Sequence, residues 1–243
     1  MTAALETIGL SKRFGALTVS DRVDFRLEPG ARHALIGPNG AGKTTFINLV
    51  TGRLRPSAGR ILLDSADVTA LSQAKRVKRG LARTFQINTL FPGLSVLENV
   101  CLGITEHRGL AAPRRAVAEA AFALLERLRI ADDALRPVRE LPYGKQRLVE
   151  IAIALGLEPS VLLLDEPAAG IPSSEMHLIL GVIEQLPPTM AVLIIEHDMT
   201  LVFRFAERIT VLVQGAILTE GTPAEIAADP RVKEVYLGER GAP

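Results

Sequence analysis

The segment 37–44, Gly-Pro-Asn-Gly-Ala-Gly-Lys-Thr, constrains the fold of this chain more than any other feature. It fits the pattern G-x-x-x-x-G-K-[ST]. The apolar run 31–36 before it predicts a short strand, and residues 43–50 after it predict a helix. This order is the context in which the pattern forms a phosphate-binding loop. The sequence therefore predicts an α/β fold with a phosphate site between a strand and a helix.

The residues of this loop contribute different chemistry. Glycines let backbone N–H groups approach phosphate oxygens, and the helix N-terminus adds positive potential. Lys43 is expected to reach the β- and γ-phosphates, and the Thr44 hydroxyl to ligate Mg²⁺. The predicted nucleotide-binding set is Gly37, Pro38, Asn39, Gly40, Ala41, Gly42, Lys43, Thr44 and Thr45. Kinases, GTPases and motors share such loops, so this loop alone predicts only that a nucleoside triphosphate binds.

Two further apolar runs end in polar residues that suit a phosphate site. The run 161–164 leads into Asp165 and Glu166, which predicts a carboxylate that holds Mg²⁺ through water and a base that polarises the attacking water. The run 192–195 leads towards His197, and open α/β sheets bind ligands at the carboxyl ends of their strands. The alternatives are an acidic strand cap for the first pair and a structural histidine for the second.

Strand-like and helix-like segments alternate along most of the chain. Short strands near the N-terminus predict a β region, and the alternation that resumes after Pro159 predicts a mainly parallel sheet. Residues 87–157 instead carry mainly helical periodicity. We therefore expect one α/β domain over residues 1–243, with an N-terminal antiparallel region. Its core of residues 1–86 and 158–243 is interrupted by a helical subdomain.

Composition limits the classes of partner. The 28 basic and 27 acidic residues give a net charge of +1, which demands neither nucleic acid nor anionic lipid. The basic residues Lys75, Arg76, Lys78 and Arg79 predict a solvated helix face. The single cysteine, Cys101, excludes an intrachain disulfide and suits a reducing cytosol. No run reaches the roughly 18 apolar residues of a membrane span, so a partner would have to hold the chain at a membrane.

The order of these motifs resembles that of the ABC transporter ATPases, over nearly the whole chain. The order is the phosphate loop, Arg83-Thr84-Phe85-Gln86, Leu141-Pro142-Tyr143-Gly144-Lys145-Gln146, Asp165-Glu166 and His197. The resemblance implies a dimeric ATPase with ATP and Mg²⁺ as cofactors. It implies catalytic roles for Glu166, His197 and Gln86, and metal ligands Thr44, Gln86 and Asp165.

The resemblance alone implies specific roles for three residues, Gln86, His197 and Phe14. Gln86 would sense Mg²⁺ and contact a membrane subunit. His197 would act on the γ-phosphate. Phe14 would stack on adenine, although a core position for this side chain is an equal alternative.

The signature segment departs from the family's usual Leu-Ser-Gly-Gly-Gln. Leu141 and Gly144 match, and the family uses this segment to contact the nucleotide of the other subunit. Pro142 has neither a hydroxyl nor an amide hydrogen, so the usual serine–phosphate hydrogen bond is lost, while the Gly144 N–H can still bind phosphate. Lys145 adds a charge there or remains solvated. Pro172 replaces the usual Asp or Asn, which weakens the expected coupling between subunits.

Three local features resemble the branched-chain amino acid importer group. They are Tyr143-Gly144, Ala168-Ala169-Gly170 and the C-terminal segment 221–239, of which the last also occurs in lipopolysaccharide-export ATPases. The resemblance implies transmembrane permease subunits, a second ATPase subunit, identical or related, and indirectly a solute-binding protein. It places the chain on the cytoplasmic face of the inner membrane, with no nucleic acid. The solute would be a branched-chain or hydrophobic amino acid or a related small solute.

Other classes remain as alternatives. A soluble kinase would need an acceptor site and a lid, and would not need the segment 141–146 or His197. A GTPase is expected to carry Asn-Lys-x-Asp, which is missing from the sequence. ABC ATPases of DNA repair or translation resemble chains with a long coiled-coil insert or two nucleotide domains. Co-purification with a permease, rather than with DNA or ribosomes, would separate these hypotheses.

Overall fold

The computed structural model describes residues 2–84, 90–172 and 175–238, with side chains described as far as residue 235. The strands are β1 Leu5–Phe14, β2 Leu17–Leu27, β3 Arg32–Ile36, β4 Ala58–Leu63, β5 Ala66–Asp67, β6 Leu81–Arg83, β7 Val161–Asp165, β8 Ala191–Ile195, β9 Arg208–Val213 and β10 Ala216–Gly221. The helices are α1 Lys43–Thr51, α2 Gln73–Val77, α3 Val96–Arg108, α4 Arg114–Arg127, α5 Tyr143–Gly156, α6 Met176–Glu184, α7 Met199–Phe205, α8 Pro223–Ala228 and α9 Pro230–Gly238. Short 3-10 turns cover Ala131–Asp133 and Val138–Glu140.

Within the described ranges the strands form two sheets. The order β2-β1-β4-β5 is antiparallel throughout, and the order of the larger sheet is β10-β9-β3-β8-β7-β6. In the larger sheet all neighbours from β9 to β6 are parallel, and β10 pairs antiparallel with β9. The predicted fold class is therefore confirmed. Every residue of β7 and β8 is buried, as expected for parallel strands covered on both faces.

The parallel order brings three predicted motifs to one edge of the larger sheet. Gly37 directly follows β3, Asp165 ends β7, and His197 lies two residues beyond the end of β8. β8 lies between β3 and β7 in the sheet. Because parallel strands end at the same edge, the phosphate loop, the acidic pair and the histidine face one crevice at the carboxyl ends of the strands.

The middle of the chain is helical, as predicted. α3 begins with a capping box, in which the Ser95 hydroxyl accepts from the Glu98 N–H and the Glu98 carboxylate accepts from the Ser95 N–H. Val100 of α3 and Val149 of α5 belong to the same buried apolar cluster as Leu162 of β7, so the helical region and the sheet share one core. Within the described ranges, no helix is long and apolar enough to cross a membrane. The subdomain boundaries remain a prediction.

The solvated-face interpretation of the basic cluster is wrong for Arg76. Its side chain is buried, and its guanidinium donates to the carbonyls of Leu49 at 2.7 Å, Val50 at 2.6 Å and Thr69 at 2.9 Å. The last carbonyls of a helix have no partner within the helix. Arg76 therefore supplies donors to the C-terminus of α1, while Lys75 is exposed as expected.

Candidate functional site

The phosphate loop has the backbone that its glycines predict. Gly40 and Gly42 have φ angles of 76° and 99°, in the left-handed region that glycine adopts without steric cost. Gly42 is the N-cap of α1 and provides no side-chain cap, and the loop is tied to the sheet by the Gly215 N–H, which donates to the Ala41 carbonyl at 2.9 Å. The first N–H groups of α1 are thus offered to an anion in the loop.

Lys43 lies over this loop. Its ammonium donates to the carbonyls of Gly37 at 2.5 Å and Pro38 at 2.9 Å. Thr44, the next residue, is exposed. A flexible cation, a free hydroxyl-bearing residue and a row of helix N–H groups are the donor set that a Mg²⁺–triphosphate requires. The residues present therefore fit this ligand.

The Asp165 carboxylate forms a buried ion pair with Arg83. Arg83 Nη2 lies 2.6 Å from Asp165 Oδ2, and both side chains are almost completely buried. Arg83 Nη1 also donates to Asn48 Oδ1 of α1 at 2.8 Å. The carboxylate predicted to hold Mg²⁺ is thus linked through Arg83 to the helix that begins at the phosphate loop.

Glu166 has an unusual backbone conformation. Its φ of 44° is in the left-handed region, which is uncommon for a residue with a Cβ. Its N–H donates to the Ile195 carbonyl of β8 at 2.9 Å, and its own carbonyl accepts from the Ala169 N–H at 3.0 Å. Such conformations persist where the surroundings fix them, and they concentrate at active sites. The backbone here is held on both sides.

Glu196 fixes the segment that carries His197. Its buried carboxylate accepts backbone N–H groups from Ala168 at 2.9 Å, His197 at 3.0 Å and Asp198 at 3.4 Å. Burial raises the pKa of Glu196, against the lowering effect of these donors. His197 itself is 68% exposed in its side chain and is free to meet a ligand in the crevice. Sequence reasoning missed Glu196; a carboxylate at the end of a fully apolar strand was the available signal.

The signature segment lies at the N-terminus of α5, against the loop that follows Glu166. Leu141 is buried, and Pro142 is the N-cap of α5. A Cβ on Gly170 would lie 3.2 Å from the ring of Tyr143, and a Cβ on Gly144 would meet the Glu175 carboxylate. Tyr143 and Gly144 thus lie against Gly170 and Glu175.

Lys145 is not simply solvated. Its Nζ lies 2.5 Å from Asp133 Oδ2, and Arg136 Nη1 lies 2.8 Å from Asp133 Oδ1. Burial would raise the pKa of Asp133, but the hydrogen bonds from Lys145 and Arg136 outweigh it, so the pKa is lowered. The charge of Lys145 therefore holds the start of α5 to the 3-10 turn Ala131–Asp133.

Of the predicted site residues Phe14 and Gln86, the structure describes only the first. Phe14 is 49% exposed at the end of β1, so the core alternative is wrong, and Lys12 Nζ lies 4.9 Å from its ring centroid. An exposed ring that already holds a cation on its face is available for stacking. Gln86 lies outside the described residues.

Family models match most of the chain. The model described as ABC transporter matches residues 20–169. A second model, described as branched-chain amino acid ATP-binding cassette transporter, matches residues 216–242. Together the two matches extend over the phosphate loop, the signature segment, Asp165-Glu166 and the C-terminal helices.

Curated relatives cover nearly the full length. The chain is 39% identical to the high-affinity branched-chain amino acid transport ATP-binding protein BraF of Pseudomonas aeruginosa, over 97% of this chain and 98% of BraF. Identity and coverage are the same for LivG of Escherichia coli (strain K12), which carries the same description. The ribose import ATP-binding protein RbsA 1 of Rubrobacter xylanophilus is 38% identical over 90% of this chain and 44% of its own length.

Solved structures share the fold. The ADP conformation of MJ1267, an ATP-binding cassette of an ABC transporter, superposes with a TM-score of 0.86 at 31% identity, over 98% of this chain and all of MJ1267. The dimeric post-hydrolysis state of the cassette MJ0796, bound to ADP and Pi, gives a TM-score of 0.79 at 25% identity over 90% of this chain and 98% of that one.

Proposed function

The chain belongs to the ABC transporter family, and we propose that it powers an importer of branched-chain amino acids. Members of this family bind ATP, hydrolyse it and couple hydrolysis to transport, and this chain is closely related to the branched-chain amino acid ATPases. The observation that carries the proposed substrate class is the match of residues 216–242 to the branched-chain amino acid model. That segment lies outside residues 20–169, which match the general ABC transporter model.

The phosphate loop holds the nucleotide in this proposal. Backbone N–H groups of the loop and of α1 bind the β- and γ-phosphates, and Lys43 moves from its carbonyl partners to the phosphate oxygens. Thr44 and Asp165 would hold the Mg²⁺ that neutralises charge on the phosphates, Asp165 through water. Phe14, exposed at the end of β1, stacks on adenine.

Hydrolysis needs a base at the γ-phosphate, and Glu166 takes this role. It lies next to Asp165, and the Ile195 and Ala169 hydrogen bonds fix its backbone. His197 contacts the γ-phosphate from the neighbouring strand end, and Gln86 senses the metal and reports to the membrane subunit. These are the three catalytic residues of the proposal.

The complete site forms between two subunits, which are identical or related. Each nucleotide lies between the phosphate loop of one subunit and the Leu141–Gly144 segment of the other, where the Gly144 N–H and the N-terminus of α5 bind phosphate. Pro142 supplies no donor, so this contact is weaker than in a chain with serine. The MJ0796 cassette, which is 25% identical and dimeric with ADP and Pi bound, supports a dimer.

A groove beside Arg83 is proposed to receive the permease. A cavity of about 460 Å³ is lined by Thr51, Val77, Arg83, Glu106 and Leu157, among others, between the sheet core and the helical segment. Arg83 lies three residues before Gln86 in the sequence and binds Asp165. A permease segment in this groove would therefore lie next to the metal carboxylate. The chain would be held at the cytoplasmic face of the inner membrane by this contact.

The test is transport by the reconstituted system. The chain is reconstituted with its own permeases in proteoliposomes that contain ATP, and the solute-binding protein is added outside. Uptake of labelled leucine, isoleucine and valine is then measured. We expect uptake of at least one of these amino acids, and none when the chain carries Lys43→Ala. An importer that moves ribose but no branched-chain amino acid would contradict the proposed substrate and favour the second candidate, for which the RbsA 1 similarity is the observation.

A further inference from the structure

Arg147 connects the signature helix to the loop that carries the proposed base. From α5, its guanidinium donates to three successive backbone carbonyls: Asp165 at 2.6 Å, Glu166 at 3.1 Å and Pro167 at 3.3 Å. Its side chain is almost completely buried. Three carbonyls in sequence can face one cation only if the backbone turns sharply. Glu166, with a φ of 44°, provides that turn.

A second contact fixes the guanidinium itself. Arg147 Nη1 pairs with the carboxylate of Glu150, one turn further along α5, and both side chains are buried. Each of the three guanidinium nitrogens therefore has a partner, so the planar group is held in one orientation. The burial of Glu150 raises its pKa, and Arg147 opposes this effect. Removal of Arg147 alone would leave a buried carboxylate without its cation.

The opposite side of the same loop is held by a different element. The Ala168 N–H donates to the buried Glu196 carboxylate, which precedes His197. In the loop 165–168, Arg147 of α5 thus binds the backbone carbonyls, and Glu196 at the end of β8 binds the Ala168 N–H. Movement of α5 would be transmitted to Glu166 through Arg147, while the His197 side stays fixed to the sheet.

We propose that Arg147 is a positioning residue through which the signature helix sets the placement of Glu166. Gly144, which would face the nucleotide of the other subunit, lies three residues before Arg147 on the same helix. A phosphate bound at the N-terminus of α5 would therefore bias the base of the same subunit. This route is independent of position 172, where proline replaces the acidic or amide side chain that usually links the two sites. The inference rests on the proposed role of Glu166.

The test is a double-variant cycle on the purified chain. Arg147→Lys keeps the charge beside Glu150 but replaces the planar fork with one ammonium, which cannot reach three carbonyls and the carboxylate together. We expect its kcat for ATP to fall about 10- to 100-fold, the effect of a misplaced catalytic group. The Kd for ATP should stay within about twofold of wild type, because the phosphate loop is untouched. In a Glu166→Gln background, Arg147→Lys should change residual single-turnover hydrolysis less than about twofold.

Two further variants keep the test decisive. Arg147→Met with Glu150→Gln removes the clamp without leaving a buried charge, and should lower kcat like Arg147→Lys. The exposed pair Arg115 and Glu119, changed in the same way, is the matched control and should leave kcat unchanged. Equal loss of rate in both Glu166 backgrounds, or wild-type kcat in both clamp variants, would overturn the proposal. A Glu166→Gln protein that hydrolyses ATP at the wild-type rate would instead overturn the role of Glu166 as base.

Discussion

Arg83 and Asp165 form a buried ion pair, with 2.6 Å between Nη2 and Oδ2, at the point where Mg²⁺ is proposed to bind. Arg83 also reaches Asn48 of α1. An arginine thus neutralises the carboxylate that the metal would use. Mg²⁺ bound through water and Arg83 would share this carboxylate, so metal binding and Arg83 are electrostatically linked.

Arg83→Met tests this link through stability. Loss of the buried partner leaves Asp165 uncompensated, so the free energy of unfolding without ligand should fall by about 3–5 kcal/mol. Mg²⁺ with ATP should recover more of the melting temperature in the variant than in wild type, because the metal replaces the missing charge. The control is Arg204→Met, which breaks an exposed pair with Glu184 and should cost less than about 1 kcal/mol. Equal losses in both variants would contradict the link.

Lys43→Ala tests the phosphate loop. The variant removes a direct cation–phosphate contact, so ATPase activity should vanish and the Kd for ATP should rise. The fold should survive, because the carbonyls of Gly37 and Pro38 that accept from Lys43 belong to the phosphate loop itself and not to the core. Turnover is measured by phosphate release and binding by calorimetry, with exposed Lys75→Ala as the control. Near-normal turnover would show that the loop assignment is wrong.

Gly144→Asp, added to Glu166→Gln, tests the signature assignment. Glu166→Gln is expected to slow hydrolysis, so that bound ATP holds two chains together as a dimer. The added carboxylate should repel the facing phosphates in a poorly solvated interface and prevent association. The structure adds a second effect, since a side chain at position 144 also meets the Glu175 carboxylate. Glu175→Ala removes that internal clash. We expect no ATP-driven dimer, by size exclusion, with or without Glu175→Ala; recovery of the dimer when Glu175→Ala is added would mean that the internal clash alone was responsible.

His33 should make the fold sensitive to mild acid. Burial lowers its pKa to about 4 from 6.5, Glu220 opposes this effect, and the ring lies edge-on to Phe25. The unfolded chain therefore binds a proton at a higher pH than the folded chain, so stability falls as pH drops from about 6.5 towards 4. Between pH 7.5 and pH 5 this group should cost about 2 kcal/mol.

The measurement is chemical denaturation of wild type and His33→Gln at both pH values. The Nε2 of His33 lies 2.8 Å from the Thr210 hydroxyl, and glutamine keeps a polar group for that contact. The loss of stability at pH 5 should be about 2 kcal/mol smaller in His33→Gln than in wild type. His107→Gln, at an exposed position, should behave as wild type. An identical pH dependence in all three proteins would contradict the prediction.

Local patterns in the sequence were sufficient for the elements that form the site. The apolar runs that became β7 and β8 were predicted within a residue because fully buried parallel strands are continuous and aliphatic. The Ser95–Glu98 capping box at the start of α3 is likewise a local pattern, a serine followed three residues later by a glutamate. β6 was missed because Leu81–Arg83 is too short to show periodicity, and its third residue is charged. α8 was missed although Thr222 and Glu225 form a capping box there.

Side-chain contacts between residues that are far apart in the sequence could not be predicted. Arg76 was assigned to a solvated face because its neighbours are basic, yet it donates to carbonyls of α1. The Arg147 contacts with the loop after β7 and the Arg83–Asp165 pair join residues far apart in sequence, which a pattern of single positions does not reveal. For Lys145, the sequence allowed either an added charge near the phosphate or a solvated side chain. The structure shows a third role, the ion pair with Asp133.

Glu166 is proposed to act as the base in a site shared by two subunits. Glu166→Gln keeps the shape and a hydrogen-bonding group but removes the negative charge and the basicity, which should lower the hydrolysis rate about 10²–10⁴-fold. ATP binding should survive because Lys43, Thr44 and the loop N–H groups are unchanged. ATP would then hold two chains together, and Lys43→Ala added to this variant should abolish the effect.

Sedimentation of the Glu166→Gln chain with and without ATP measures this directly, at low Mg²⁺ and also in the presence of its permease. We expect a monomer without nucleotide and an ATP-dependent dimer with it, together with the slowed hydrolysis. A variant that stays monomeric with ATP even beside its permease, or that hydrolyses ATP at the wild-type rate, would contradict it.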